Sequence, residues 1–151
     1  MSDNIPAHIR ILATLKTGSV YYFEEERLSS KEPHYFIVLN KEPRTDSVLF
    51  LVCGSSQIEK RKNAIQKLGF PKETLVIVSP AECPCFSKET AIDCNTIIDK
   101  RIESVIEKLN LKELRICDES IPDKIVKKLV RGALMSTQIQ EVVKKCIRGC
   151  D

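Results

Sequence analysis

The chain holds only two histidines, His8 and His34, among its 151 residues. A metal site built from several imidazoles is therefore excluded. Glycine is also scarce: there are five, none near another at the spacing of a phosphate-cradling loop. No P-loop, G-x-G-x-x-G, H-E-x-x-H or G-x-S-x-G pattern occurs. Long apolar runs are missing too. Stretches such as Val48 to Cys53 fall far short of the roughly 20 residues that cross a bilayer. Met1-Ser-Asp-Asn lacks a basic segment followed by an apolar one, so no secretory signal is expected. Nor does one sign of charge dominate. Lys and Arg number 24 and Asp and Glu 21, and the formal +3 announces a nucleic-acid partner only if the basic residues cluster.

What is present suits one folded domain over residues 1–151. Hydrophobic residues at 42% and charged residues at 30% exclude a disordered chain or a coiled-coil rod. Seven cysteines, an odd number without a signal peptide, argue against a secreted disulfide framework and for a reducing, cytoplasmic setting. Cys53 and Cys117 lie in apolar, strand-like runs and read as small core residues. Cys83-Pro84-Cys85 with Cys94 could offer three thiolates to zinc, with Cys146 or Cys150 as a fourth. Structural zinc sites normally show gaps of two to four residues in both halves, and only one C-x-C half exists here. No metal or cofactor is expected.

Residues 18–95 read as strands separated by turns. Gly18 to Phe23 is aromatic and β-branched and is stopped by Glu24-Glu25-Glu26-Arg27. Tyr35 to Leu39 is a continuous apolar run, as in a strand buried on both faces. The turn-rich segment Asn40 to Asp46 then leads to a return strand, Val48 to Cys53. Thr74 to Ser79 and a shorter Thr90 to Cys94 complete this set. Gln57 to Leu68 fits a surface helix stopped by Gly69 and Pro71.

From about residue 97 the pattern turns helical. Ile102, Val105, Ile106 and Leu109 follow helical spacing, and Glu113 to Cys117 reads as a strand with Leu114 and Ile116 inward. Ser120-Ile-Pro122-Asp123 signals a helix start with Ile125, Leu129 and Val130 on its apolar face. Gly132 is expected to break or bend that helix. Ser136 is expected to cap a last one carrying Ile139, Val142, Val143 and Cys146. The arrangement this predicts is α+β: a small barrel of five or six short, mostly antiparallel strands, with C-terminal helices packed on it. Barrel closure would hide the edges of such apolar strands.

One constellation carries chemistry. If Tyr35 to Leu39 pairs antiparallel with Val48 to Cys53, His34 falls beside Ser55 and Ser56 at one rim of the sheet. An imidazole titrates near neutral pH and can move a proton, and neighbouring hydroxyls can hold a phosphate oxygen. The same residues also suit a polar strand end that merely meets solvent. Lys60-Arg61-Lys62, just beyond, is either a solvated helix face or a patch that contacts phosphates.

At these positions the sequence resembles the MazF/PemK-like toxins (the CcdB/MazF-like superfamily) of bacterial toxin–antitoxin systems. Gly18-Ser-Val-Tyr-Tyr matches their opening Gly and aromatic-apolar strand. His34-Tyr35 stands where their Arg-Pro pair opens the next strand, before Phe36-Ile-Val-Leu39. Val52-Cys-Gly-Ser-Ser56 matches a strand that ends in a Thr-Ser-like pair. Leu75-Val-Ile-Val78 and Ala91-Ile-Asp93-Cys94 match later segments. The resemblance covers about residues 18–95. It implies an SH3-like barrel, a homodimer, an antitoxin partner and a metal-independent endoribonuclease for single-stranded RNA. It assigns cleavage to His34 and to Ser55 or Ser56.

Arginine at the first position would stay charged, whereas histidine can act as acid or base. His34 would then move the proton as a ribose 2′-hydroxyl attacks the adjacent phosphate, with Lys60, Arg61 and Lys62 tracking the backbone. Two rival readings remain open. One is a non-catalytic barrel module that binds a partner protein through its C-terminal helices. The other is a redox or zinc module built on Cys83, Cys85 and Cys94.

Overall fold

The computed structural model describes residues 5–28 and 30–149. Among them, six strands and five α-helices make an α+β fold. The order is α1 (Ala7–Thr14), β1 (Val20–Phe23), β2 (His34–Val38), β3 (Val48–Ser55), α2 (Ile58–Leu68) and β4 (Leu75–Val78). Then follow β5 (Thr90–Arg101), α3 (Ile102–Asn110), β6 (Leu114–Ile116), α4 (Asp123–Met135) and α5 (Glu141–Arg148). All strands join one antiparallel sheet in the order β4-β5-β3-β2-β1-β6.

The sheet is open. Among the described residues β4 and β6 form its two edges, so the expected closure into a barrel is not present. The edge strands are only four and three residues long, which limits the unpaired backbone that the open sheet exposes, and alternation along the strands buries both faces. In β2, Phe36 and Val38 face one cluster with Ile11, Leu15, Val105 and Leu109, so α1 and α3 cover that side. Ile37 and the following Leu39 face the other, with Ile125, Leu129, Ala133 and Ile147 of α4 and α5. Each strand of the sheet centre is thus buried on both faces by helices. The C-terminal helices do pack on the sheet as expected, but α3 and α4 take opposite sides. The short helix α1 was not expected; its apolar residues do not share one face, since Ile11 is buried while Ile9 and Leu12 are exposed.

Three local expectations are corrected. No change of structure occurs near residue 96, because β5 runs on through Arg101. Gly132 neither breaks nor bends α4, which continues to Met135. A Cβ there would come within 2.6 Å of the Glu73 carbonyl oxygen and 3.1 Å of Cys94 Sγ. Glycine lets the helix press against the turn that precedes β4. Ser136 does not cap the last helix, which begins at Glu141 after Gln140. Val142, expected on its apolar face, is 65% exposed, and Ile147 is the residue it buries.

Ser136 instead ends a buried polar chain. Its hydroxyl donates to Asn95 Oδ1 at 2.7 Å, and Asn95 Nδ2 donates to Thr74 Oγ1 at 2.8 Å and to Asp93 Oδ1 at 2.9 Å. Thr74, Asn95 and Ser136 are each at most 6% exposed. This chain sits where β5 departs from its partner: Val52 pairs with Ile97 but Gly54 with Ile92, so residues 93–96 bulge opposite Cys53. The polar groups freed by the bulge are satisfied by α4 and by the turn before β4.

A second buried polar anchor is Glu25, 3% exposed, in the β1–β2 connection. Its Oε2 accepts from Arg27 Nε at 2.6 Å, and Lys100 Nζ lies 2.7 Å from Oε1. Arg27 reaches on to Asp99 at 3.0 Å. Burial alone would push the carboxyl up. The bond from Arg27 and the nearby Lys100 ammonium outweigh it and hold the group at about 2.

Two measurements check these anchors. Asn95→Leu removes the acceptor of the buried Ser136 hydroxyl, which keeps only the bond it accepts from the Gln138 amide, and should lower stability to urea by about 1–3 kcal/mol; a change near zero would mean the polar chain is dispensable. The Glu25 carboxyl lies below its ordinary value of 4.5. Its ionic contribution is therefore complete above that pH and lost as pH falls toward 2. Thermal melts of wild type and Glu25→Gln should accordingly differ most near neutrality and converge in acid, whereas a gap independent of pH would contradict the assignment.

Candidate functional site

The register of β2 and β3 builds the site. Tyr35 pairs with Gly54 and Phe36 with Cys53. His34, one residue before Tyr35, and Ser55, one after Gly54, therefore end adjacent strands at the same rim. Gly54 is needed there: a Cβ would sit 2.8 Å from Thr90 Cγ2, where β5 passes close by. Beyond Ser55 the chain turns at once into α2. The Ser55 hydroxyl accepts from the Gln57 amide at 3.2 Å, and the Ile58 amide donates to the Ser56 carbonyl at 3.0 Å. Lys60 and Arg61 thus fall in the first turn of α2, at the positive end of its dipole.

These residues share one cleft of about 390 Å³. His34, Ser55, Ser56, Lys60 and Arg61 all line it, together with Lys88 from the β4–β5 connection. Lys62 is not among its lining residues; its ammonium lies 3.6 Å from Glu59 on the helix surface. Nδ1 of His34 is shielded from solvent and has no hydrogen-bond partner among the described residues. No hydrogen bond joins the imidazole to the Ser55 or Ser56 hydroxyl. The serines are therefore not activated as nucleophiles by that base. Hydroxyls, a helix N-terminus and three cations, against the single carboxylate of Glu32, line the cleft with an imidazole whose Nδ1 has no partner among the described residues. This set suits an anionic phosphodiester whose own hydroxyl is the nucleophile.

An aromatic row backs the cleft. Tyr22 and Tyr35 lie 4.7 Å apart between centroids, and Phe86 meets Tyr35 edge-on at 5.0 Å. Arg115 of β6 pairs with Tyr22 and stacks on its ring at 4.9 Å. Partial burial would lower this guanidinium, but the Tyr35 hydroxyl and its neighbours outweigh that and raise it. Neither Arg115 nor Lys88 was singled out in the sequence. Both are brought near by pairings of distant segments, which local spacing does not encode. A larger cavity of about 900 Å³ adjoins the cleft across Tyr22, Ser30 and Pro33, walled by Glu25 and Lys100.

The rival reading of Cys83, Cys85 and Cys94 as a zinc or redox set finds no assembled ligand group among the described residues. Cys94 packs toward Gly132 of α4, whereas Cys85 is close enough to Cys83 and Cys117 to feel their charge. Burial pushes the Cys53, Cys85 and Cys94 thiols up to about 12, which leaves them protonated and unreactive near neutrality. Cys53, Cys83, Cys85, Cys94 and Cys117 are free of disulfides. Cys150 lies outside the described residues. Among those described, no group of three or more His, Cys, Asp or Glu side chains is arranged to hold a metal ion. No helix among them is long and apolar enough to cross a membrane. No model of a known protein family matches the chain, and no curated protein matches its sequence.

Proposed function

We propose that the protein is an endoribonuclease that cleaves single-stranded RNA in the cleft between the start of β2 and the end of β3. The observation that carries this reading is the convergence of His34, Ser55, Ser56, Lys60 and Arg61 on one concave surface. The ribose 2′-hydroxyl attacks the adjacent phosphorus, the P–O5′ bond breaks, and the products are a 2′,3′-cyclic phosphate and a 5′-hydroxyl. His34 takes the proton of the 2′-hydroxyl and, as the imidazolium, returns it to the leaving 5′ oxygen. The Ser55 and Ser56 hydroxyls, with the amides that open α2, hold the non-bridging oxygens, and Lys60 and Arg61 balance their charge. The imidazole and the cations supply every role, so no metal ion is required.

This reading keeps the kinship with MazF/PemK-like toxins as a proposal, and with it an antitoxin, a homodimer and a cytoplasmic site of action. An SH3-like barrel is not needed for it, because β2 and β3 alone bring the cleft residues together. Cleavage of a mixed-sequence single-stranded RNA in excess EDTA tests the reading. Wild type should release fragments ending in cyclic phosphate. His34→Ala should lower kcat at least 100-fold with KM little changed, while Arg61→Ala should chiefly raise KM. No cleavage by wild type, or equal kcat in a folded His34→Ala variant, would overturn it.

A further inference from the structure

We infer that the groove between α4 and α5 receives an acidic amphipathic segment of a partner protein. The groove encloses about 600 Å³. Val126, Val130 and Leu134 recur along one side of α4, and with Met135 and Ile147 they make its apolar floor. Met135 is 38% exposed there. Its rim is basic: Lys127 and Arg131 on α4, Arg148 on α5, and Lys41 at the mouth, with no carboxylate among the lining residues. Only Arg148 is engaged, by Glu141 at 2.8 Å. Among the described residues, Lys41, Lys127 and Arg131 make no ion pair.

The segment that forms the groove is itself basic, and Lys127, Arg131 and Arg148 of it stand on the rim. Residues 123–148 carry seven basic side chains against two acidic ones, a net +5, although the chain as a whole is only +3. The remainder is therefore slightly negative. A concave apolar floor with a cationic rim matches a helix whose apolar stripe is flanked by Asp and Glu. RNA fits poorly, because the floor is aliphatic and presents no aromatic ring on which a base could stack. A second copy docked symmetrically would bring two such basic rims together and repel. A bilayer would meet a convex apolar face better than a groove.

The groove lies apart from the cleft. Lys41 and Thr17 flank the end of β2, whereas the cleft residue His34 starts that strand. Roughly 20 Å of extended chain separates them. Docking therefore leaves the cleft open, and the inference stands whether or not the chain cleaves RNA.

The test is fluorescence anisotropy of the full chain with 18-residue helical peptides that share one leucine stripe and carry Glu, Gln or Lys flanks. The Glu-flanked peptide should bind at least tenfold tighter than the Gln form, weaken as salt rises, and exclude the Lys form. Lys127→Glu/Arg131→Glu and, separately, Met135→Asp should each cost at least tenfold in affinity while the circular dichroism spectrum stays native. Four results would overturn the inference: equal binding of all three peptides, indifference to the groove substitutions, a solution dimer that Met135→Asp dissolves, or co-sedimentation with phosphatidylglycerol vesicles that Met135→Asp abolishes.

Discussion

The antiparallel pairing of β2 with β3, in the register that sets Tyr35 against Gly54, is the constraint on which the account of this protein depends. A slip of one residue would turn Phe36 and Val38 from the cluster under α1 and α3 toward the one under α4, and would move His34 away from Ser55. The two clusters hold the register from both sides. The side-chain amide of Asn40 pins the far end of the pair: it donates to the Asp46 carboxylate and the Val48 carbonyl, and its oxygen accepts from the Phe50 amide. Gly54, facing Thr90, lets β5 close over the same pair where β3 ends. The chemistry proposed for the cleft thus rests on packing and turn geometry well outside it.

Burial on both faces also separates the roles of the helices. On one side α1 and α3 only cover aromatic and aliphatic side chains, including stacked Phe23 and Phe36. On the other side α4 does two jobs. Its inner stripe of Ile125, Leu129 and Ala133 closes the core, while Gly132 and Ser136 bring it against the bulge in β5. With α5 it carries a local excess of positive charge, seven basic side chains against two acidic over residues 123–148. A chain of nearly balanced composition therefore carries cations on two distinct concave surfaces, one polar at the sheet rim, the other aliphatic with a basic edge.

Much of this was legible in the residues. Continuous apolar runs marked β2 and β4, the Asn40 to Asp46 segment marked the β2–β3 hairpin, and Pro122-Asp123 marked the start of α4. The closeness of His34 and Ser55 followed from pairing logic alone. Other features depended on contacts between distant segments. Only Thr90 to Cys94 of β5 was legible, because polar Asp93 and Asn95 interrupt its apolar pattern; in the fold they bond each other, Thr74 and Ser136. Gly132 read as a breaker because its role is to admit a neighbouring carbonyl. Apolar runs point to barrel closure because they do not show how short the edge strands are. Cys83, Cys85 and Cys94 all join one hydrophobic cluster, where thiols act as small apolar residues.

The most direct measurement is a nuclear magnetic resonance titration of the imidazole and backbone amides with a short oligonucleotide that bears a 2′-deoxy residue and so resists cleavage. Saturable shifts of the His34 ring and of the Ser55, Ser56 and Arg61 amides, with the α4 and α5 amides unmoved, are what the account predicts. A ring resonance that ignores the oligonucleotide, or shifts that cluster on the basic helices instead, would contradict it.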